Sequence, residues 1–192
     1  MEGRVRLEGR PPDPVWLEVP AEHQSDCGTK KLSPKLKVSS EGGVENAVVW
    51  VEGNFPPEPW VERPWPPPEV ILDQTGCEFV PHILMVPDYE TLVIRNSDGF
   101  LHNVRAFDES AQMIFNDAMP KKGQVLKKRF KKPGKILVRC GLHHWMHAVV
   151  AVQDHPYYAL TDESGRFKIS RVPDGTYTVS YTHLTLPTKR IV

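Results

Sequence analysis

The chain has 192 residues, 40% of them hydrophobic, enough for one large packed domain or two small ones. Lys plus Arg and Asp plus Glu number 24 each, so net charge leaves no footprint for nucleic acid. No apolar run reaches the roughly 18 residues of a membrane span, and 19 prolines with 13 glycines fit short strands and turns better than helices.

The chain opens with MEGRVRLEGRPPDP, which has no apolar stretch. No secretion signal is read in it, so the protein is either cytoplasmic or begins after its signal. Residues 1–53 read as strand material: RVRLEG alternates, and VENAVVWVEG is a β-branched run. Between them HQSDCGTKKLSPK reads as a loop, with His23 as a loop residue. The stretch NFPPEPWVERPWPPP holds seven prolines, so residues 54–69 are expected to form an extended connection whose Trp60 and Trp65 cover a sheet face.

From residue 70 the strands come closely spaced. EVILDQ, HILMVP, TLVIRN, HNVRAF, QVLKKRF, KILVRC and AVVAVQ are each short and rich in Val, Ile, Leu or Phe. Turn signals at Pro87-Asp88, Ser97-Asp98-Gly99, Pro120 with Gly123, and Pro133-Gly134 separate them, the rhythm of a β-sandwich or barrel. DESAQMIFNDAM is expected to hold no more than a helical turn. In TDESGRFKISRVPDGTYTVSYT, two turns at Asp162–Gly165 and Pro173–Gly175 alternate with apolar pairs, which predicts a β-hairpin. The closing THLTLPTKRIV, residues 182–192, resembles translated cloning sequence and is set aside.

The chemistry concentrates in CGLHHWMHAVVAV, residues 140–152. Thiolate, imidazole and thioether together select a soft or borderline metal, and two His with one Cys and a weak axial Met describe a blue-copper site. Cys140 ends the strand KILVRC, and His143 and Met146 follow at +3 and +6, where a tight loop can aim all three at one point. A fourth ligand must come from a neighbouring strand, and His102, at the start of HNVRAF, is the candidate. Singly, each of these residues would read as an ordinary core residue; together they read as a metal site. No C-x-x-C occurs among the three cysteines, which argues against a zinc ribbon. His82 reads as structural, His155-Pro156 as the start of a turn, and His183 as part of the tail.

Residues 79–152 resemble the cupredoxins. FVPHILMVPDYETLVIRNSDGFLHNV is similar to their segment carrying the first ligand His, and C-x-x-H-x-x-M before a Val-rich strand is similar to the short ligand loop of amicyanin. The resemblance implies an all-β, cupredoxin-like Greek-key sandwich over residues 70–153. It implies one copper per chain, held by His102, Cys140, His143 and Met146. It further implies that Asn103 hydrogen-bonds across to the Cys140 loop and ties the two ligand segments together. The sequence departs from the pattern in three ways. His144 stands where many relatives have Pro, and His147 follows Met146, so both are alternative ligands; a glycine expected near Tyr89-Glu90 is also missing. Residues 1–53 would add strands packed on the main sandwich. Residues 154–181 resemble a carboxypeptidase regulatory-like β segment, with no catalytic residue to carry over.

These readings imply a mononuclear type 1 copper protein that carries one electron between redox partners, one of them a protein such as a cytochrome. The resemblance implies a periplasmic or extracellular location. A copper enzyme is disfavoured: a binuclear centre needs a second Cys four residues before Cys140, where Ile136 stands, and no paired H-x-H motifs for a trinuclear cluster occur. Two alternatives stay open, a copper-handling module using Met146, His144 and His147, and a metal-free β-module for adhesion or assembly. Cys27 and Cys77 remain once Cys140 is assigned; in an exported protein they could pair as a disulfide, though the sequence does not place them together. The run KKGQVLKKRFKKPGK, Lys121–Lys135, holds eight basic residues. It reads as a solvated edge strand or as a docking patch for an acidic redox partner. It has no interleaved aromatic platform for nucleic acid.

Overall fold

A computed structural model describes residues 1–53, 55, 69–88 and 90–183. The chain forms two compact units, each assembled from distant parts of the sequence. One takes the described residues of Met1–Pro14, Ser33–Glu62 and His155–Val192, the other those of Val15–Leu32 and Arg63–Asp154.

The first unit is built around the β-branched run of Val48–Glu52. This strand pairs antiparallel on both sides, with Tyr158–Leu160 and with Thr178–Thr182. Glu2–Arg4 pairs separately with Arg166–Lys168. Val49, Val51, Tyr157 and Ile169 form the core of this unit. The turn expected at Asp162–Gly165 is present: the Asp162 carboxylate accepts the N–H groups of Ser164 and Arg166, both at 2.9 Å. Gly165 sits there at φ +78°, where a Cβ would also overlap the carbonyl oxygen of Val5.

The second unit is an all-β sandwich. Its larger sheet runs in the order Met113–Met119, His102–Phe107, Gly134–Cys140, His147–Gln153, Ile83–Pro87. Its smaller sheet runs Val125–Lys128, Leu92–Asn96, Val70–Thr75, Glu78–Val80. Leu72, Leu92 and Ile94 of the smaller sheet join Val104, Val138, Ala148 and Val150 of the larger in one buried cluster. Strict alternation explains the inward set. In His102–Phe107 every second residue, starting with His102, is buried. In Gly134–Cys140 the inward residues are Ile136, Val138 and Cys140.

Several sequence expectations change. Residues 1–53 do not form one layer on the sandwich: residues 15–32 belong to the second unit, and the rest of the N-terminal part joins residues 155–183. The segment read as a loop around His23 contains a 3-10 turn at Ala21–His23, a short helix at Gln24–Cys27, and the strand Lys30–Leu32 paired with Trp16–Glu18. DESAQMIFNDAM holds no helical turn; Met113–Met119 is an edge strand paired with His102–Phe107, because Ile114, Phe115 and their neighbours gain a sheet partner. The predicted C-terminal hairpin is not closed on itself. Arg166–Lys168 pairs with Glu2–Arg4 and Thr178–Thr182 with Val48–Glu52, each a longer-range partner, and the latter strand carries a buried face. Thr182 closes that strand, so the set-aside tail begins one residue too early. The proline-rich connection, with Trp60 and Trp65, lies outside the described residues apart from Phe55 and Glu69, as do residues 184–192. Among the described residues no helix is long and apolar enough to cross a membrane.

Cys27 and Cys77 form a disulfide within the second unit, with their Cα atoms 5.4 Å apart. It joins residues 15–32 to the turn between Val70–Thr75 and Glu78–Val80. The two cysteines are 50 residues apart in sequence. In the chain-entropy picture, opening a loop of that length removes about 4 kcal/mol of stability. We therefore expect Cys27→Ser/Cys77→Ser to lower the denaturant midpoint by that equivalent. A loss under about 1 kcal/mol would show that the crosslink does not constrain the unfolded chain.

Candidate metal centre

The register of two strands sets the site. Cys140 lies opposite Val104 in the antiparallel pair His102–Phe107 and Gly134–Cys140. His102 is two residues beyond Val104, on the same inward face. Both side chains therefore enter one end of the sandwich interior. The chain then turns tightly: Met146 N–H donates to the His143 carbonyl at 2.9 Å, and Cys140 N–H donates to the Met146 carbonyl at 3.1 Å. The turn points His143 back at Cys140. Met146 is buried in the same core cluster as Cys140.

His102 Nδ1 and His143 Nδ1 lie 3.1 Å apart. Cys140 Sγ is 3.5 Å from His143 Nδ1 and 3.9 Å from His102 Nδ1. Relative exposure is 0% for His102, 3% for His143, 4% for Cys140 and 2% for Met146. These spacings fit a shared metal. With bonds of about 2.0 Å to nitrogen and about 2.3 Å to sulfur at 120°, nitrogens would lie about 3.5 Å apart and sulfur about 3.8 Å from each. One thiolate and two imidazoles at these spacings suit a soft or borderline ion such as copper.

The outer support of His102 is a carboxylate that the sequence reading passed over. Asp98 Oδ2 lies 2.9 Å from His102 Nε2. The same carboxylate accepts the Gly76 N–H at 2.7 Å and the Cys77 N–H at 2.9 Å. Burial would raise the Asp98 carboxyl, but the N–H of Cys77, the His102 ring and the N–H of Gly76 hold it below the usual range. Asn96, fully buried, shapes the turn: its amide donates to the carbonyls of Met119 and Phe100 at 2.8 and 3.0 Å, and its Oδ1 accepts the Asp98 N–H. An Asp four residues before a ligand-type His, in a turn full of Ser, Asp and Gly, was the available signal.

Asn103 does tie the two segments, but with its main chain. Its carbonyl accepts the Gly141 N–H at 3.2 Å. Its side-chain amide turns the other way, donating to Asn116 Oδ1 at 2.8 Å and the Asp117 carbonyl at 3.2 Å, while its Oδ1 accepts from Arg105 Nε at 3.0 Å. The expected side-chain bond across to the Cys140 loop is replaced by packing, because Gly141 leaves room where a Cβ would overlap Asn103 Oδ1. His144 is exposed and outside the cluster. His147 is also outside it: Nδ1 lies 3.0 Å from the Trp145 carbonyl, and its ring stands edge-on to His82 at 4.9 Å. His23, read as a loop residue, instead has its ring centroid 4.7 Å from that of His143.

Burial pushes the Cys140 thiol up, but the imidazoles of His102 and His143 and the N–H groups of Asn103 and Leu142 outweigh it and bring it down to about 5. His102 is the complement. Burial lowers it, while the Cys140 sulfur and the Asp98 carboxylate raise it further, for a net rise.

No protein-family model matches the chain, and no curated protein matches it. Solved structures do. A purple cupredoxin from Nitrosopumilus maritimus is 21% identical over 44% of this chain and 100% of its own, with a TM-score of 0.40. Amicyanin from Paracoccus versutus is 20% identical over 55% of this chain and 97% of its own, at 0.40. A Cu-containing nitrite reductase from Thermus scotoductus is 24% identical over 46% of this chain and 23% of its own, at 0.39.

In the metal-free protein we expect the ultraviolet absorbance of the Cys140 thiolate to persist until the pH falls to about 5. An unperturbed thiol would lose it near about 8.5. Because the folded pKa is the lower one, ionisation of Cys140 adds stability that is complete above about pH 8.5 and fades as the pH falls through the folded value. Asp98→Asn should weaken metal binding by about 10–100-fold in a chelator competition, because the ring of His102 loses the group that orients it. Unchanged affinity would show that Asp98 serves the turn alone.

Proposed function

We propose that the second unit is a mononuclear copper electron carrier. His102, Cys140 and His143 would hold the metal, and Met146, buried in the same cluster as Cys140, would add a weaker thioether donor. The observation that carries this reading is the set of three buried soft donors within 3.1–3.9 Å of one another at one end of a two-sheet sandwich. When bound, copper supplies a one-electron couple. The protein's part is to hold the donors still. Cys140 and His102 start from paired strands, His102 is braced by Asp98, and His143 and Met146 share a hydrogen-bonded turn. Small donor movement between oxidation states keeps reorganisation low.

Burial separates this reading from copper handling. A module that passes metal on needs ligands its acceptor can reach, whereas His143 is 3% exposed and the exposed His144 stands apart from the cluster. Among the described residues the cluster of metal-type donors lies wholly in the second unit. The Cys27–Cys77 disulfide fits an oxidising compartment, periplasmic or extracellular.

The basic run divides in its relation to the site. Met119 pairs with His102, so Lys121 and Lys122 follow at the metal end. Strand Val125–Lys128 then leads away, and Lys131, Lys132 and Lys135 lie at the far end, about 15–20 Å from Cys140 along the strand. Lys127 and Lys128 are paired with Glu69 and Asp117. Lys121 and Lys122, which follow Met119 at the end of the sandwich that carries His102, are therefore the part of the run suited to docking a redox protein such as a cytochrome.

Adding Cu(II) to the full chain should produce an intense thiolate-to-copper band in visible absorption. Cys140→Ser and His143→Gly should abolish it, and His144→Ala should leave it intact. A full band in Cys140→Ser would sink the assignment. A weak tetragonal spectrum in the parent protein would favour copper handling.

A further inference from the structure

The ring of His143 is enclosed on every side that the structure describes. His102 stands 4.8 Å away, Trp145 5.2 Å and Phe100 6.0 Å, all centroid to centroid. These three belong to the sandwich itself. The nearest ring is His23, at 4.7 Å and inclined by 67°, and it comes from outside the sandwich strands. His23 is half-buried, whereas His143 is almost wholly so. Of the two rings, His23 is the one that reaches solvent.

The segment carrying His23 is pinned at both ends. Val19 and Cys27 are buried in the core cluster of the sandwich, at 2% and 4% exposure. Val19 N–H donates to the Thr29 carbonyl at 3.0 Å, and the Gln24 side chain donates to the Val19 carbonyl at 2.8 Å. Cys27 is bonded to Cys77, and the Cys77 carbonyl accepts the indole N–H of Trp145 at 3.0 Å. Trp145 in turn lies 5.8 Å from His23. His23 sits midway between the two anchors, where the 3-10 turn Ala21–His23 meets the helix Gln24–Cys27, and is presented to His143 by a short closed arch. A chance surface contact would have no reason to be fixed this way.

We propose that His23 is the specificity-determining residue of this centre: it closes the solvent side of His143, so that small external ligands are kept from the donors and a partner meets the arch before it meets a ligand ring. The purpose of the closure rests on the electron-carrier reading, since a carrier gains from a site that electrons can leave and ligands cannot enter. The closure itself is geometry and stands without copper. Cys140 Sγ lies 3.5 Å behind His143 Nδ1, so a reagent entering past His143 reaches the thiolate.

The test uses the metal-free full chain with the disulfide intact, so that Cys140 is its one free thiol. Two quantities are followed: the rate of Cys140 alkylation by iodoacetamide, and solvent exchange of the His143 ring N–H by NMR. His23→Ala should speed alkylation by about tenfold, since thiolate reactivity tracks access, and should speed the ring exchange as well. His23→Phe, which restores an apolar ring of similar reach, should return both close to the parent values. Circular dichroism establishes that each variant is folded. If His23→Ala alkylates and exchanges at the parent rate, His23 is not a closure and the proposal fails. It also fails if Phe is as open as Ala, because filling the space is then not what shields the site. Because no metal is present, a negative copper titration and a failed closure are separate results.

Discussion

Everything at the candidate site follows from one register. Because Cys140 pairs with Val104 and side chains alternate along a strand, His102 and Cys140 must enter the sandwich interior from adjacent strands at the same end. A slip of one residue in either strand would turn that strand's donor to the outer face and expose its apolar partners, Val104 and Ala106 in one strand or Ile136 and Val138 in the other. The apolar core that fixes the register, Val104, Ala106, Ile136 and Val138, thus also fixes the imidazole and thiol of the candidate site. Stability and chemistry are specified by the same alternation, and neither can drift alone.

The polar part of the site is organised around Asp98. A carboxylate at that depth is costly unless its oxygens are occupied. Here two main-chain N–H groups and the His102 ring occupy them. One group satisfies the turn before Glu78–Val80, orients a donor, and touches the backbone of a disulfide cysteine. Cys77 links this carboxylate to Trp145, whose indole N–H its carbonyl accepts, and Trp145 in turn lies beside His23. The Asp98 turn is thereby connected, through Cys77 and its bond to Cys27, to residues 15–32, which lie far from the donors in sequence.

Legibility followed distance along the chain. The strands from 70 to 152 were readable because each carries its own period and turn residues, and the Cys140, His143 and Met146 spacing was readable because it is local. His102 was reachable through its position at a strand start. Asp98 sat in view in the Ser-Asp-Gly turn, but no local pattern marks which turn carboxylate receives a ring nitrogen. His23 could not be read at all: only the fold, through Val19 and the Cys27–Cys77 bond, carries it to His143. Asn103 shows a subtler limit. The residue was the right one, but whether its side chain or its carbonyl makes the tie depends on Gly141 and Arg105. The C-terminal stretch misled because good local hairpin chemistry lost to partners more than 100 residues away.

That last pairing bears on synthesis. Val48–Glu52 is a β-branched strand whose two neighbours, Tyr158–Leu160 and Thr178–Thr182, are made after the whole second unit. While the ribosome works through residues 63 to 154, this strand has both edges open, an arrangement that invites pairing with other chains. The second unit has all its parts once residue 154 has emerged, including its early piece 15–32. The first unit must wait for the residues from His155 onward. Completion therefore does not follow the order in which the units begin: the unit that holds residues 1–14 is finished after the unit that holds residues 63–154.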